Sequence, residues 1–347
     1  MIRLSARFLS AVALIVLFVP VLEAVAQQHV PPAPDSDAQQ GAPAPNANAA
    51  QPGTELAAPA PSDVPVFPKP NPADFTASSP TKDVIDSFLQ ANWGYAENRM
   101  WQVQAIQKTS SEGVTKVSIL VADKGPKAQI MQMDFFVLPD GKHIIFGNQL
   151  INFGAHPFAE VRQQLQQSAD GPYRGSADKS LEIVEFADFQ CPHCKSAQPN
   201  MDKLAVDFPK ARIVFQNFPI ESIHPESFLA AEYGFCVSKM GGSTAFFQFA
   251  AAVFDGQDGL ATPDGATLTL NSAVTKAGLD PAKVGTCAAT PEIKAAVDAS
   301  VKLGKDVGIN QVPTLIINGF EVQANSPYEV LKKIVEYQAK ADGVALQ

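Results

Sequence analysis

The sequence predicts an α/β protein with two folded parts: a small α+β domain, then a larger domain in which strands and helices alternate around a long helical insertion. Three observations predict it. The apolar run at 181–189 stops at Cys191-Pro192-His193-Cys194 and is followed by a helix-like segment, which is a strand-to-helix junction. Between residues 101 and 146, apolar and polar residues alternate in several short runs separated by turn residues. Residues 224 to about 308 read as helix after helix and end at a second apolar strand, 314–320.

The chain opens with an address. Arg3 and Arg7 are the only charges before an apolar stretch at 8–22, and Ala24-Val25-Ala26 is a small-x-small cleavage signature. The stretch is shorter than the roughly 20 residues that a spanning helix needs. Residues 1–26 therefore read as a secretory signal peptide cut after Ala26, the alternative being an uncleaved membrane anchor. Residues 27–80 are rich in Pro and Ala and nearly free of large apolar side chains before Val64, the composition of a disordered linker. Export leads to a periplasmic or otherwise extracytoplasmic compartment, where disulfides persist. The net charge of −9 gives nucleic acid no electrostatic foothold.

Residues 81–167 form the small α+β domain. Thr81 caps a helix that places Val84, Ile85, Phe88 and Leu89 on one face. About four strands follow, the last two joined by the turn Pro139-Asp140-Gly141-Lys142, and a short helix at 158–165 leads out. His143 and His156 stand alone and are read as structural.

Residues 168–347 form the larger domain. A strand at 181–189, a helix near 192–206 and a strand at 211–218 come first, as βαβ. The insertion at 224–308 follows, with helix starts at Asp280-Pro281 and Thr290-Pro291. A strand at 314–320 and a helix opened by Ser326-Pro327 close the chain as ββα.

Cys191-Pro192-His193-Cys194 is where chemistry is expected. A thiol at a helix N-terminus meets unsatisfied N–H groups and the positive end of the helix dipole, which favour the reactive thiolate. Pro192 suits the first helical turn, and His193 adds a polar group beside the sulfur. Zinc wants four ligands, whereas Cys236 and Cys287 form no second CxxC and the five histidines show no ligand spacing. A disulfide closed over two residues is of the strained, labile kind, which suits a redox pair and not a staple. Electrons then ride on sulfur, and the reading requires neither metal nor cofactor.

These residues resemble the DsbA family of exported thiol:disulfide oxidoreductases, whose fold is thioredoxin-like. The dipeptide within Cys-Pro-His-Cys, Glu185-Phe186 six and five residues before Cys191, Val312-Pro313-Thr314 and the helical insertion carry the resemblance over roughly 168–340. It implies that Cys191 is the attacked thiol, Cys194 the resolving one, and His193 a stabiliser of the thiolate. It implies a cis Pro313 facing the dithiol, with Val312 and Thr314 beside an extended substrate. Glu185 is implied as a buried proton shuttle for Cys194; Asp188, nearer the strand end, is expected to be exposed. The substrates implied are reduced, unfolded exported proteins, and the reoxidant a membrane protein of the DsbB or VKOR type.

Cys236 and Cys287 are left to pair with each other once the CxxC pair is set aside, either as a structural disulfide bracing the insertion or as a second redox pair. The hairpin at 140–147 resembles the N-terminal domain of the DsbC/DsbG isomerases, which implies a homodimer through 81–167. A disulfide isomerase with chaperone character thus stands beside the oxidase as the alternative function.

Overall fold

The computed structural model describes residues 64–126 and 128–346; the expected signal peptide and most of the expected linker lie outside the described residues. The first sheet is an antiparallel meander in the order β1-β2-β3-β4-β5, comprising β1 (Arg99–Lys108), β2 (Thr115–Asp123), β3 (Met131–Val137), β4 (His143–Phe146) and β5 (Gln149–Asn152). Helix α1 (Lys82–Trp93) starts where Thr81 Oγ1 accepts the Val84 N–H. Its face of Ile85, Phe88 and Leu89 packs on Val103, Val117, Ile119, Phe135 and Ile144 of the sheet. The fifth strand goes beyond the four expected. Gly147, at φ 59°, lets the chain turn back over two residues after Phe146, and Phe146 then pairs with Gln149.

The linker does not run to residue 80. Gln102 and Gln104 both donate to the Pro68 carbonyl, Phe75 bridges Ile106, and Thr115 Oγ1 donates to the Ser79 carbonyl. Composition missed this stretch because it is held by backbone carbonyls and amides, not by a buried apolar face.

The second sheet has the order β10-β9-β7-β8-β6. Its strands are β6 (Tyr173–Gly175), β7 (Glu182–Ala187), β8 (Arg212–Asn217), β9 (Thr314–Ile317) and β10 (Phe320–Gln323). Only β7 and β8 are parallel, joined through α3 (Pro192–Asp207), and β6 is an edge strand absent from the sequence reading. Every residue of β7 is buried, because it is central and covered on both faces. Ile183 points toward α3 and α8 (Tyr328–Ala341), packing with Met201, Leu204 and Leu331. Val184 and Phe186 point the other way, toward Leu165 of α2 (Ala159–Ser168) and Leu303 of α7 (Pro291–Asp306). The period of two therefore puts Glu185 on the α3 face, beneath the dithiol helix. Helix α2, expected to close the small domain, instead contributes Leu165 to the core of the larger one, and Phe158 just before it meets Phe320 edge-on.

The insertion contains α4 (Ser227–Asp255), broken at Gly242 where φ is 71°, then a 3-10 turn (Gln257–Ala261), α5 (Pro263–Lys276), α6 (Pro281–Ala288) and α7. Proline occupies the first turn of α3, α5, α6 and α7, where its missing N–H costs nothing. Phe246, Phe249 and Phe254 of α4 surround Phe189, at the end of the β7 run, so the insertion and the dithiol junction share one core. Cys236 and Cys287 are bonded, tying α4 to α6. Among the described residues, no helix is long and apolar enough to cross a membrane.

Candidate active site

Cys191 is the N-cap of α3, with extended backbone angles, and Pro192 is the first helical residue. Its N–H donates to the Asp188 carbonyl at 3.1 Å, and its own carbonyl accepts the N–H groups of Cys194 and Lys195. The two thiols are unbonded. Cys191 is 5% exposed and Cys194 0%, so the outer sulfur is the one within reach.

Their surroundings push the two thiols in opposite directions. The Cys194 thiol and the N–H groups of Cys194 and His193 donate toward the Cys191 sulfur and lower its pKa to about 6 from the ordinary 9.0, against the opposing effect of burial and of the Asp188 charge. Burial first, and the neighbouring Cys191 sulfur second, push the Cys194 thiol far up. At neutral pH Cys191 is thus a thiolate and Cys194 the proton donor to it. What His193 brings to that sulfur is its backbone N–H, while its side chain is exposed.

Val312 and Pro313 are joined by a cis peptide, and the Val312 carbonyl lies 3.9 Å from Cys191 Sγ. Thr314, expected beside an extended substrate, is not free to meet one. It is fully buried, its hydroxyl donates to the Gln311 carbonyl, and its strand is paired on both sides, with Phe186 and Gln323. Val312, half-buried and outside the ladder, is left as the residue beside the dithiol.

Glu185 is 2% exposed. Burial, opposed by a hydrogen bond from Gln198, raises its pKa to about 7 from 4.5. Gln198 Nε2 donates to Glu185 Oε1 at 2.9 Å and to the Cys194 carbonyl at 3.1 Å, so one amide spans the carboxyl and the inner cysteine's helical turn. A carboxyl whose folded pKa lies above its unfolded value leaves stability untouched below pH 4.5, weakens it as pH rises from there, and costs the full amount above about 7. That full amount is about 3 kcal/mol. Glu185→Gln is therefore expected to match the parent at pH 4 and to exceed it by up to about 3 kcal/mol at pH 8. Urea unfolding of the reduced protein at the two pH values checks this, and an equal gain at both would remove ionisation as the cause.

Asp188 is not exposed. It is 1% exposed, because its side chain turns inward to accept from Gln190 N, Ile220 N and His224 Nδ1 at 2.7, 2.9 and 2.8 Å. Its own N–H donates to Cys194 Sγ at 3.4 Å. A carboxylate tolerates burial when its lone pairs are this well occupied. Gln257 is a second residue that the sequence did not reveal: its buried amide donates to the carbonyls of Phe189 and Cys191 at 2.8 and 3.0 Å. Gln198, His224 and Gln257 carry no motif or spacing that marks them. Among the described residues there is no cluster of three or more His, Cys, Asp or Glu that could hold a metal ion.

The Thioredoxin family model matches residues 167–337, the stretch that contains the dithiol, Glu185 and Pro313. Residues 167–337 are a thioredoxin-like domain. Among solved structures, the chain is similar to a periplasmic thioredoxin-like protein from Salmonella enterica serovar Typhimurium, at 20% identity over 52% of this chain and 97% of that one, with a TM-score of 0.42. It is also similar to the thiol-disulfide exchange protein alpha-DsbA2 from Wolbachia pipientis, at 23% identity over 52% and 96% of the two chains and a TM-score of 0.44. BdbD from Bacillus subtilis in its oxidised form gives 22% identity over 49% and 93%, with a TM-score of 0.43. A curated relative, the Na(+)/H(+) antiporter NhaA 3 of Salinispora tropica, is 33% identical over 91 residues, which is 26% of this chain and 14% of the antiporter. The chain thus spans a small part of the curated relatives that it matches.

Proposed function

We propose that the protein is an exported thiol:disulfide oxidoreductase that introduces disulfides into other exported proteins through Cys191 and Cys194. The observation that carries this reading is the division of labour between the sulfurs: a reachable thiolate at the helix N-terminus, with pKa about 6, backed by a fully buried thiol. In the oxidised enzyme a substrate thiolate attacks Cys191 Sγ. The Cys191–Cys194 bond breaks, and its electron pair leaves on Cys194, which takes up a proton. A second substrate thiolate then attacks the substrate sulfur of the mixed disulfide and expels Cys191 as thiolate. The substrate has lost two electrons and the enzyme holds them as a dithiol.

In this reading Glu185 gives and takes the Cys194 proton, supported by its pKa of about 7, which leaves both of its forms available near neutrality, and by the Gln198 amide that bridges it to the inner cysteine's turn. The dithiol passes its electrons to a membrane reoxidant, for which a quinone-linked protein of the DsbB or VKOR type is the class required. Arg3, Arg7, the apolar stretch 8–22 and Ala24-Val25-Ala26 support an extracytoplasmic location.

The Cys191 thiolate favours the reduced enzyme roughly tenfold at pH 7 over an ordinary thiol, at most about 30 mV once solvent screening is allowed for. Equilibration with glutathione buffers is the test. A potential well above the roughly −270 mV of thioredoxin, with rapid oxidation of a reduced unfolded protein, is expected; a value at that level overturns the oxidase reading.

The five-stranded sheet in front of the dithiol domain favours a second reading, a reduced isomerase that dimerises through 81–167. Recovery of a disulfide-scrambled substrate by the reduced protein, and light scattering with and without that segment, separate the two.

A further inference from the structure

The Asp188 carboxylate has no role in the exchange steps above, yet it is buried within three residues of the nucleophile and fully occupied by donors. Its backbone touches both cysteines: the carbonyl accepts from Cys191 N, and the N–H donates to Cys194 Sγ. Its side chain reaches the other way. Oδ1 closes the turn by accepting from Gln190 N, and Oδ2 accepts from Ile220 N and faces His224 Nδ1 at 2.8 Å. Because a carboxylate only accepts, the imidazole must donate from Nδ1. Ile220 and His224 belong to the segment between β8 and α4, so this single side chain joins the dithiol turn to the entry of the insertion. The neighbouring charged side chains of that segment differ from it: Glu221 is exposed, and Glu226 meets the turn through its backbone N–H, which donates to Gln190 Oε1.

We propose that Asp188 and His224 are positioning residues for the dithiol, fixing the Cys191–Cys194 turn against the insertion and setting how much negative charge the Cys191 sulfur meets. The physical reasoning has two parts. An anion near a thiolate disfavours it, and the Asp188 charge opposes the ionisation of Cys191. A donor bonded to that anion spreads its charge, so the imidazole relieves the opposition. The two members therefore act on the same sulfur with opposite signs, whereas loss of packing alone would give both variants one direction.

The inference rests on the dithiol reading of the site. Its test follows the thiolate absorbance of the reduced full chain near 240 nm as a function of pH, which requires no substrate. Asp188→Asn keeps the shape and an acceptor but removes the charge, and the Cys191 midpoint is expected to fall by roughly a few tenths of a pH unit. His224→Leu keeps the bulk but removes the donor, and the midpoint is expected to rise by roughly a few tenths of a unit. The equilibrium with glutathione should follow, with Asp188→Asn more oxidising and His224→Leu less so. Midpoints unchanged in both variants, or moved in the same direction, overturn the proposal. Where Asp188→Asn does not fold, His224→Leu decides alone, because Asp188 there keeps both backbone donors; an unmoved midpoint refutes the pairing. A parent protein with no thiolate titrating near pH 6 would instead refute the dithiol reading itself.

Discussion

Cys191→Ser is expected to reduce disulfide exchange to the uncatalysed background, the largest effect of any single substitution in the chain. The parent explains the size of the loss. With the Cys191 pKa near 6 in place of 9.0, the thiolate is about nine-tenths populated at pH 7, against roughly one-hundredth for an ordinary thiol of that kind. Part of the gain is returned, because a less basic thiolate is a weaker nucleophile. The same low basicity makes Cys191 a good leaving group, which is what release of an oxidised substrate requires. Native-state alkylation should label Cys191 and spare Cys194, whose thiol is buried and pushed up. The labelling rate should be flat above about pH 7 and fall tenfold per unit well below pH 6. Peptide mapping by mass spectrometry reads both. Equal labelling of the two cysteines would contradict the assigned geometry, and so would exchange activity surviving in Cys191→Ser.

Removing the Cys236–Cys287 bond should have the largest effect on stability. The bond closes a loop with a sequence separation of 51, for which the chain-entropy account gives about 4 kcal/mol. Replacing both cysteines by alanine avoids a leftover thiol that could exchange with Cys191. Urea unfolding of that double variant should show a midpoint lowered by the corresponding amount, with the slope little changed or slightly increased. The folded fraction should keep its exchange activity, because the bond lies between α4 and α6 while the reacting sulfurs lie on α3. Activity lost from a variant that is still folded would instead point to a second redox pair. A stability loss below about 1 kcal/mol would mean that the unfolded chain holds the loop closed by other contacts.

The frame of the larger domain was legible because its signals are local. A continuous apolar run names β7, prolines at first helical turns mark α3, α6 and α7, and a CxxC at the junction announces thiol chemistry. Glu185 is singled out by the resemblance, through its place six residues before Cys191, and the period of two then sends it toward α3. Nearness to a strand end suggests exposure for Asp188, whereas one donor from its own turn and two from the distant segment before α4 decide its burial. The resemblance alone puts Thr314 beside a substrate, but strands that are neighbours only in space occupy both of its edges. Strand β6 is three residues long, too short for alternation to declare itself. Residues 68–80 look like linker by composition, and only the sheet they lie on reveals their partners. What sequence conveyed poorly was every contact between segments far apart in the chain.

Gln257 bears on whether this chemistry can be transplanted. Its amide grips the carbonyls of Phe189 and Cys191 from a turn that belongs to the insertion. Grafting the four residues Cys-Pro-His-Cys onto a smaller relative without that insertion would carry over the sulfurs and the helix start but leave two backbone acceptors to find other partners. The portable unit is larger than the motif: it includes the helical segment more than sixty residues downstream that keeps the turn in shape.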